Sequence, residues 1–330
     1  MIKTLEIKNF KSIKDLKLDL RRINIFIGEP NTGKSNILET VGIFSFGHYF
    51  HYGYKLTDFV RLERTSNLFY DEDLDKEIMI SFDNKSLKVW FKEGMFEGRW
   101  FKGEWQKREE DIASFSGPHT EVKIQSYPRH RELLPFKFYR FAIKRAFGRP
   151  ESEHLLPPSG DNLLSLLLTH KELRTTVGQF FTPFGLKLGL RPQENKIELV
   201  KQVEDIIISY PYSLASDTLQ RLILYFVAIE SNKNSVIAFE EPEAHAFPYY
   251  IEYLAERIAL AENDNQYLVS THNPYFLLPI LEKSPKEEVS IFITYFEDYQ
   301  TKVKTLSEEE KEEVMELDVF SNIDKFLGRK

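Results

Sequence analysis

Eight consecutive residues near the start of the chain have the composition of a phosphate-binding loop. They follow the apolar run 23–27 and precede a segment with helical spacing, which is the context that this pattern requires. Backbone N–H groups of the loop and the helix N-terminus would surround phosphates, Lys34 would reach the β and γ oxygens, and Ser35 would ligate Mg²⁺. The predicted nucleotide contacts are Gly28, Glu29, Pro30, Asn31, Thr32, Gly33, Lys34, Ser35 and Asn36.

Two adjacent carboxylates follow a second apolar run, 236–239. Glu240 at the end of this strand can bind the Mg²⁺, and Glu241 can lie beside an attacking water. Phosphoryl transfer to water needs this division of labour. We therefore assign Glu240 to the metal and Glu241 to catalysis, and hydrolysis is favoured over transfer to another substrate.

A third apolar run, 267–269, is followed by two residues with small hydroxyl side chains and then by a histidine. A neutral His272 at the carboxyl edge of a parallel sheet can hydrogen-bond a γ-phosphate or the attacking water, so it is the second predicted catalytic residue. None of the Asn-Lys pairs has Asp two positions after the lysine, so the guanine-reading motif of small GTPases is absent. The predicted nucleotide is ATP.

The segments around these motifs predict the elements that position them. Residues 212–294 alternate between helical and strand patterns, which is typical of a parallel sheet covered by helices. Residues 2–27 and 77–105 alternate instead as antiparallel strands. The middle of the chain, about 110–210, is less regular. The predicted fold class is α/β with a mixed sheet.

Composition excludes several classes of protein. The 330 residues are 42% hydrophobic and contain no cysteine, so a disordered chain, a disulfide scaffold and a thiolate metal site are excluded. The longest apolar run, 222–229, is far shorter than the roughly 20 residues that a membrane helix needs. The charged opening segment lacks the apolar region of a signal peptide. We expect a cytoplasmic protein without a membrane partner.

Taken together, the motifs resemble those of the ABC-type ATPases of the RecF, SMC and OLD (overcoming lysogenisation defect) group, which includes AAA_15/21-like AAA-family ATPases. Segment 28–35 resembles their Walker A motif, 240–245 their Walker B motif and D-loop, and 271–274 their switch-histidine segment. Segment 216–221 resembles their signature sequence, with Thr218 where a glycine is usual. The resemblance implies ATP and Mg²⁺ as cofactors.

In that family the signature completes the ATP site of a facing subunit, so the resemblance implies a head-to-tail homodimer on ATP binding. Ser216 and Gln220 are then the predicted contacts to the partner's nucleotide. Arg61 resembles an arginine that reaches the nucleotide in SMC-like heads. Gln125, or another polar residue in that stretch, is a candidate for the Q-loop group that senses Mg²⁺, and the alternative for Gln125 is an ordinary surface position.

The resemblance also implies a P-loop NTPase fold in which residues 1–330 form one compact head, without coiled coil or nuclease domain. The expected parts are an N-terminal lobe with Walker A and antiparallel strands (1–110), an inserted helical middle region (111–210) and a C-terminal lobe with the remaining motifs (211–330).

Two charged segments stand out from the net charge of −7. Segment 121–150 carries eight Lys/Arg residues against two acids, interleaved with aromatics. It is either a DNA-binding surface or an amphipathic segment with buried aromatics and exposed cations. Segment 308–316 is glutamate-rich and predicts a solvated helix, with Ser307 and Glu310 at capping-box spacing.

Three functions remain open at this point. The first is a regulatory ATPase of a defence or toxin system, with a protein effector on a separate chain. The second is a RecF-like DNA-binding ATPase in repair or maintenance. The third is a nucleotide-binding scaffold that barely hydrolyses ATP.

Overall fold

A computed structural model describes residues 1–104, 107–118, 122–126, 130–151 and 153–329. Its first layer is a seven-stranded sheet in the order β2-β1-β4-β5-β6-β7-β8, with every neighbouring pair antiparallel. The bounds of these strands are β1 Thr4–Phe10, β2 Ile13–Asp19, β4 Ile78–Phe82, β5 Lys85–Lys92, β6 Met95–Glu104, β7 Lys107–Gly117 and β8 Lys123–Ser126. The expected N-terminal antiparallel layer is therefore confirmed.

The second layer is a six-stranded mixed sheet in the order β16-β15-β3-β14-β13-β9. Only β15 and β16 pair antiparallel, and the remaining neighbours are parallel. Its strands are β3 Ile23–Gly28, β9 Phe136–Tyr139, β13 Val236–Glu240, β14 Gln266–Ser270, β15 Val289–Glu297 and β16 Gln300–Thr305. The inner strands are nearly continuous apolar runs, as both faces of a parallel sheet are covered.

Alternate residues of this central sheet enter two different cores. Ile25 and Ile237 pack with the helices on one face, whereas Phe26 and Ala238 face the first sheet. Successive side chains of a strand point to opposite faces, so both cores are built from the same strands. The central sheet therefore lies between the two hydrophobic cores and contributes one face to each.

Helix α1 lies between the two sheets, and helices α5, α6 and α7 cover the other face of the central sheet. The predicted helix at 36–46 is confirmed and extends in both directions, and the capping box at Ser307 and Glu310 is present. The helices of the described ranges are α1 Lys34–Tyr49, α2 Leu56–Phe59, α3 Leu163–Thr169, α4 Lys171–Gln179, α5 Asp217–Ser231, α6 Pro248–Ala259, α7 Pro274–Lys283, α8 Glu308–Glu316 and α9 Ile323–Leu327.

The middle region is less helical than expected. It contributes α3 and α4, but also β8, β9 and a three-stranded antiparallel sheet made of β10 Lys187–Arg191, β11 Lys196–Val203 and β12 Ile206–Pro211. Alternation explains the strands, because Ile197 and Leu199 point from one face of β11 into the core formed with α3 and α5. Among the described residues, no helix is both long and apolar enough to cross a membrane.

The register of the parallel strands brings the predicted motifs to one edge. Glu240 at the end of β13 pairs with Ser270 at the end of β14, and Ser270 pairs with Phe26 shortly before the loop. Tyr139 ends β9 beside Phe239. The carboxyl ends of four strands therefore meet where ligands of parallel sheets bind.

Candidate nucleotide-binding site

Two glycines give the loop its shape. Gly28 and Gly33 have φ angles of 144° and 99°, which side chains disfavour. A Cβ atom at Gly33 would lie 2.1 Å from the Thr301 hydroxyl oxygen, and one at Gly28 would lie 2.3 Å from the Thr294 carbonyl oxygen. Only glycine fits at either position, so the loop closes tightly over the end of the sheet.

Lys34 lies beneath this loop with its side chain buried. Its Nζ donates to the carbonyl oxygens of Gly28 and Glu29, at 2.7 and 2.8 Å. Burial lowers the pKa of Lys34 to about 8, and Glu241 and Glu29 oppose this shift. An ammonium held only by main-chain carbonyls can exchange them for phosphate oxygens, so the loop fits a nucleoside triphosphate.

The two predicted metal ligands lie on either side of one cation. Arg61 Nη2 is 3.3 Å from the Ser35 hydroxyl oxygen and also donates to the Glu240 carboxylate. Oxygen donors of this kind are those that Mg²⁺ takes from proteins, together with phosphates and water. Among the described residues no group of three His, Cys, Asp or Glu side chains could hold a metal by itself. The donor set fits Mg²⁺ bound with a nucleotide rather than in a protein cage.

Sequence reasoning missed the carboxylate at the centre of this cation cluster. Glu39 of α1 is 1% exposed and accepts from Lys11, from the Arg61 backbone N–H at 3.0 Å and from Arg140 Nη2 at 3.1 Å. Arg140 Nε also lies 3.4 Å from Glu240 Oε2. The available signal for Glu39 was that it is the one carboxylate of α1 and lies between the apolar residues Leu38 and Val41.

The structure brings together the two predicted catalytic residues. His272 Nε2 lies 3.1 Å from Glu241 Oε1, and this hydrogen bond lowers the pKa of the Glu241 carboxyl. The backbone N–H of Glu241 donates to the Ser270 carbonyl oxygen at 3.1 Å, and its φ of 42° turns the chain sharply after β13. An ionised carboxylate beside a histidine can accept the proton of an attacking water.

A second missed residue supports this pair from behind. Glu243 is 6% exposed, and burial raises the pKa of its carboxyl. Its Oε1 accepts from the Thr271 hydroxyl and from the His272 backbone N–H, at 3.1 Å for the latter. Because one side chain ties the turn after β13 to the segment after β14, Glu243 fixes where His272 lies relative to Glu241.

The side chains of the signature segment have partners within their own chain. The Ser216 hydroxyl caps α5 by accepting from the Leu219 N–H, and the Thr218 hydroxyl donates to the His245 carbonyl at 2.8 Å. Gln220 is 3% exposed and donates to the Ala215 carbonyl at 2.8 Å. The prediction that Gln220 contacts a partner's nucleotide therefore requires its side chain to leave a buried position.

The candidate Q-loop residue lies elsewhere. Gln125 is exposed on β8, the outermost strand of the seven-stranded sheet, and pairs with Ser114. Arg140 instead follows β9, the strand beside β13, and contacts Glu39 and Glu240. The residue next to the predicted metal ligand is thus an arginine that the sequence analysis assigned to a surface segment.

Of the aromatic side chains that the structure describes in segment 121–150, four are buried and Phe141 is half-buried against the core, but not all of the cations are exposed. Phe136, Phe138, Tyr139 and Phe147 are buried, as the amphipathic alternative predicts. Lys137 is also buried, where it donates to Asn232 and Ser235, and burial lowers its pKa to about 7. Residues 121 and 127–129 of the segment, which include Tyr127 and Arg129, lie outside the described part of the chain.

Comparison with known families decides the assignment. The model described as "AAA ATPase domain" matches residues 1–185, more than half of the chain. The chain belongs to this family. A second family model, described as "AAA domain, putative AbiEii toxin, Type IV TA system", matches residues 105–278 of the chain.

The fold of this AAA ATPase domain is similar to that of SMC heads. An SMC head bound to the C-terminal winged-helix domain of ScpA superposes with a TM-score of 0.55 at 17% identity, covering 94% of this chain and 99% of that chain. An SMC head with an extended coiled coil, bound to a ScpA domain derived from Pyrococcus furiosus, gives 0.53 at 14%, covering 96% and 98%. The predicted ABC-type head fold is confirmed.

Curated relatives match over short segments. A RecF DNA replication and repair protein of Lactococcus lactis is 32% identical over 89 residues, which is 27% of this chain and 19% of that protein. An uncharacterised protein of Methanocaldococcus jannaschii is 51% identical over 45 residues, 13% of this chain and 20% of that protein. The chain spans about a fifth of the length of these relatives.

Proposed function

We propose that this chain is a Mg²⁺-dependent ATPase that works as a nucleotide-gated switch. In this proposal ATP closes a head-to-tail homodimer, hydrolysis reopens it, and the cycle controls a protein effector on a separate chain. The observation that carries the proposal is the Glu241–His272 pair at the sheet edge where the phosphate loop begins. We also propose that the parts 1–110, 111–210 and 211–330 work as one head.

The side chains of the site suggest how hydrolysis proceeds. Lys34 leaves the two loop carbonyls and pairs with phosphate oxygens, which raises its pKa and keeps it charged. Glu241 accepts the proton of the attacking water, and His272 holds that carboxylate in place. Mg²⁺, when bound at Ser35 and Glu240, supplies neutralisation of the charge that develops on the phosphates.

The test is a joint measurement of phosphate release and association state on the purified chain with ATP and Mg²⁺. The proposal predicts hydrolysis together with a mass that doubles while ATP is bound. Nucleotide binding without turnover and without a change of mass would favour the scaffold function instead. Absence of nucleotide binding would contradict the Walker A assignment itself.

The separate effector finds support in the SMC heads of similar fold, whose structures include a bound ScpA domain. The second AAA-domain model, with its toxin-system description, covers the segment that holds the signature, Walker B and switch-histidine motifs. Both observations favour an ATPase that acts on another protein. Co-purification with the product of a neighbouring gene would test it.

A RecF-like DNA-binding ATPase is the second candidate, since RecF proteins are among the matching relatives. The described cations of segment 121–150 give it limited support, because Lys137 is buried and Arg140 is paired with Glu39. DNA binding through this segment predicts an affinity that falls steeply with salt. An affinity for duplex DNA that does not depend on salt, or none at low salt, would exclude this role.

A further inference from the structure

The side chain of Arg61 lies between the two residues that we assign to the metal. Its Nη2 atom is 3.3 Å from the Ser35 hydroxyl oxygen, and the same atom donates to Glu240 Oε1. We propose that the Arg61 guanidinium holds the place of Mg²⁺ in the nucleotide-free protein and must leave Glu240 before metal and ATP bind. This inference rests on the proposed function, since it concerns the metal half of the same site.

The main chain at Arg61 is anchored, whereas its side chain is largely exposed. The Arg61 N–H donates to Glu39 Oε1 at 3.0 Å, and the Arg61 carbonyl accepts from Lys11 Nζ at 2.6 Å. The side chain itself is 58% exposed. Rotation about its side-chain bonds can therefore withdraw the guanidinium from Glu240 without moving the backbone.

Glu39 provides the partner that Arg61 keeps after leaving Glu240. Arg61 Nε already lies 3.5 Å from Glu39 Oε1, and Glu39 is 1% exposed. A buried carboxylate needs charged or hydrogen-bonding partners to remain ionised. The guanidinium can consequently exchange one carboxylate for the other and stay paired throughout.

The charges of the cluster make this exchange depend on the nucleotide. Lys11, Arg61 and Arg140 outnumber the carboxylates Glu39 and Glu240, so the cluster carries one net positive charge. A divalent cation entering alone meets the guanidinium groups of Arg61 and Arg140, which lie beside its assigned ligand Glu240. The phosphates of ATP bring the negative charge that offsets this repulsion. Metal and nucleotide should therefore enter together.

The experiment measures metal binding by the full chain without nucleotide, using Mn²⁺ as the probe and its paramagnetic resonance signal as the readout. We expect wild type to bind Mn²⁺ weakly and Arg61→Gln to bind one Mn²⁺ at least tenfold more tightly. Arg64→Gln is the matched control, because it removes an exposed arginine three positions away. It should bind Mn²⁺ as wild type does.

The double variant Arg61→Gln with Glu240→Gln locates the gained metal. Loss of the tight Mn²⁺ site in this double variant supports the proposal, whereas a tight site that persists there overturns it. Equal Mn²⁺ affinity of Arg61→Gln and wild type also overturns it, and Arg61→Ala repeats the test if the glutamine variant folds poorly. Because the titration contains no ATP, a failure of ATP hydrolysis and a failure of this inference give different results.

Discussion

The phosphate-loop edge and the signature segment 216–221 hold their polar side chains in opposite ways. At the phosphate-loop edge, Lys34 is bonded only to main-chain carbonyls, and the exposed Arg61 side chain bridges Ser35 and Glu240. In the signature segment the hydroxyl of Thr218 is bonded to the turn after β13, and Gln220 to its own preceding loop. At the phosphate-loop edge, Lys34 and Arg61 can exchange their present partners for a ligand. In the signature segment, the polar side chains hold the local structure together.

This difference between the two regions suggests that nucleotide binding is a property of one chain, whereas the signature segment acts in the dimer. The residues that we assign to phosphates, metal and water all lie in one chain, so a monomer should already bind ATP, and closure of the proposed dimer should add to that affinity. The signature segment can meet a facing nucleotide through its main chain and the N-terminus of α5, where backbone N–H groups favour anions. Its side chains would act on the dimer by holding that main chain in place.

The largest effect is expected at Lys34. Lys34→Ala removes the buried ammonium that would meet the β and γ phosphates, and a lost charged hydrogen-bond donor costs up to about 3 kcal/mol, or roughly 100-fold in affinity. Calorimetric titration with ATP measures it. Unchanged ATP affinity would show that Lys34 does not bind the phosphates, and the contrast between the phosphate-loop edge and the signature segment would then be wrong.

Glu241→Gln should retain ATP binding and lower the hydrolysis rate by about 100-fold or more, since a general base contributes this much. It should also accumulate the ATP-bound dimer on a sizing column. Glu240→Gln is the comparison variant, because it should weaken Mg²⁺ binding instead. Normal turnover of Glu241→Gln would show that the water is activated elsewhere.

A smaller effect is expected for Thr218→Val, which keeps the shape of the side chain but removes its donor to the His245 carbonyl. The loss of one hydrogen bond costs about 1 kcal/mol. Thermal melting should show this loss, and ATP-dependent dimerisation should weaken while monomer affinity for ATP stays the same. Thr218→Ser retains the hydroxyl and should behave as wild type. If Thr218→Gly instead strengthens dimerisation, the threonine obstructs the facing chain.

The smallest effect is expected for Gln220→Met, which replaces a buried amide by an apolar side chain of similar length. The change removes the donor to Ala215 but also removes a buried Oε1 that has no hydrogen-bond partner among the described residues, so stability should change by less than about 1 kcal/mol. ATP-dependent dimerisation, followed by light scattering, should persist. Its complete loss would mean that Gln220 turns outward to contact the partner's nucleotide.

The local part of the site was predictable from the sequence. The loop 28–35, the carboxylate pair after β13 and His272 follow apolar strands, and a parallel sheet necessarily collects such strand ends at one edge. Strand and helix types predicted between residues 212 and 294 also agree with the structure. These features depend on short stretches of chain, where pattern and chemistry coincide.

The non-local part was not predictable. Strand β9 has only four residues and includes Lys137. A short segment with a lysine is not expected to form a buried strand, yet β9 pairs with β13 inside the protein. Without that pairing nothing places Arg140 next to Glu240, and the surface residue Gln125 is a natural but misplaced choice. Glu39 and Glu243 were missed for the same reason, because their partners are distant in sequence.

The burial of helix α1 limits which amino-acid substitutions this protein can accept. Every residue of the helix except Ser35 and Asn36 is buried, since the helix is enclosed by the two sheets. An ordinary surface helix has a polar face on which substitutions accumulate freely, but this one has no such face. Sequence drift should therefore be slow along its whole length. The helix that begins at the phosphate loop is thus constrained as much by its surroundings as by the nucleotide.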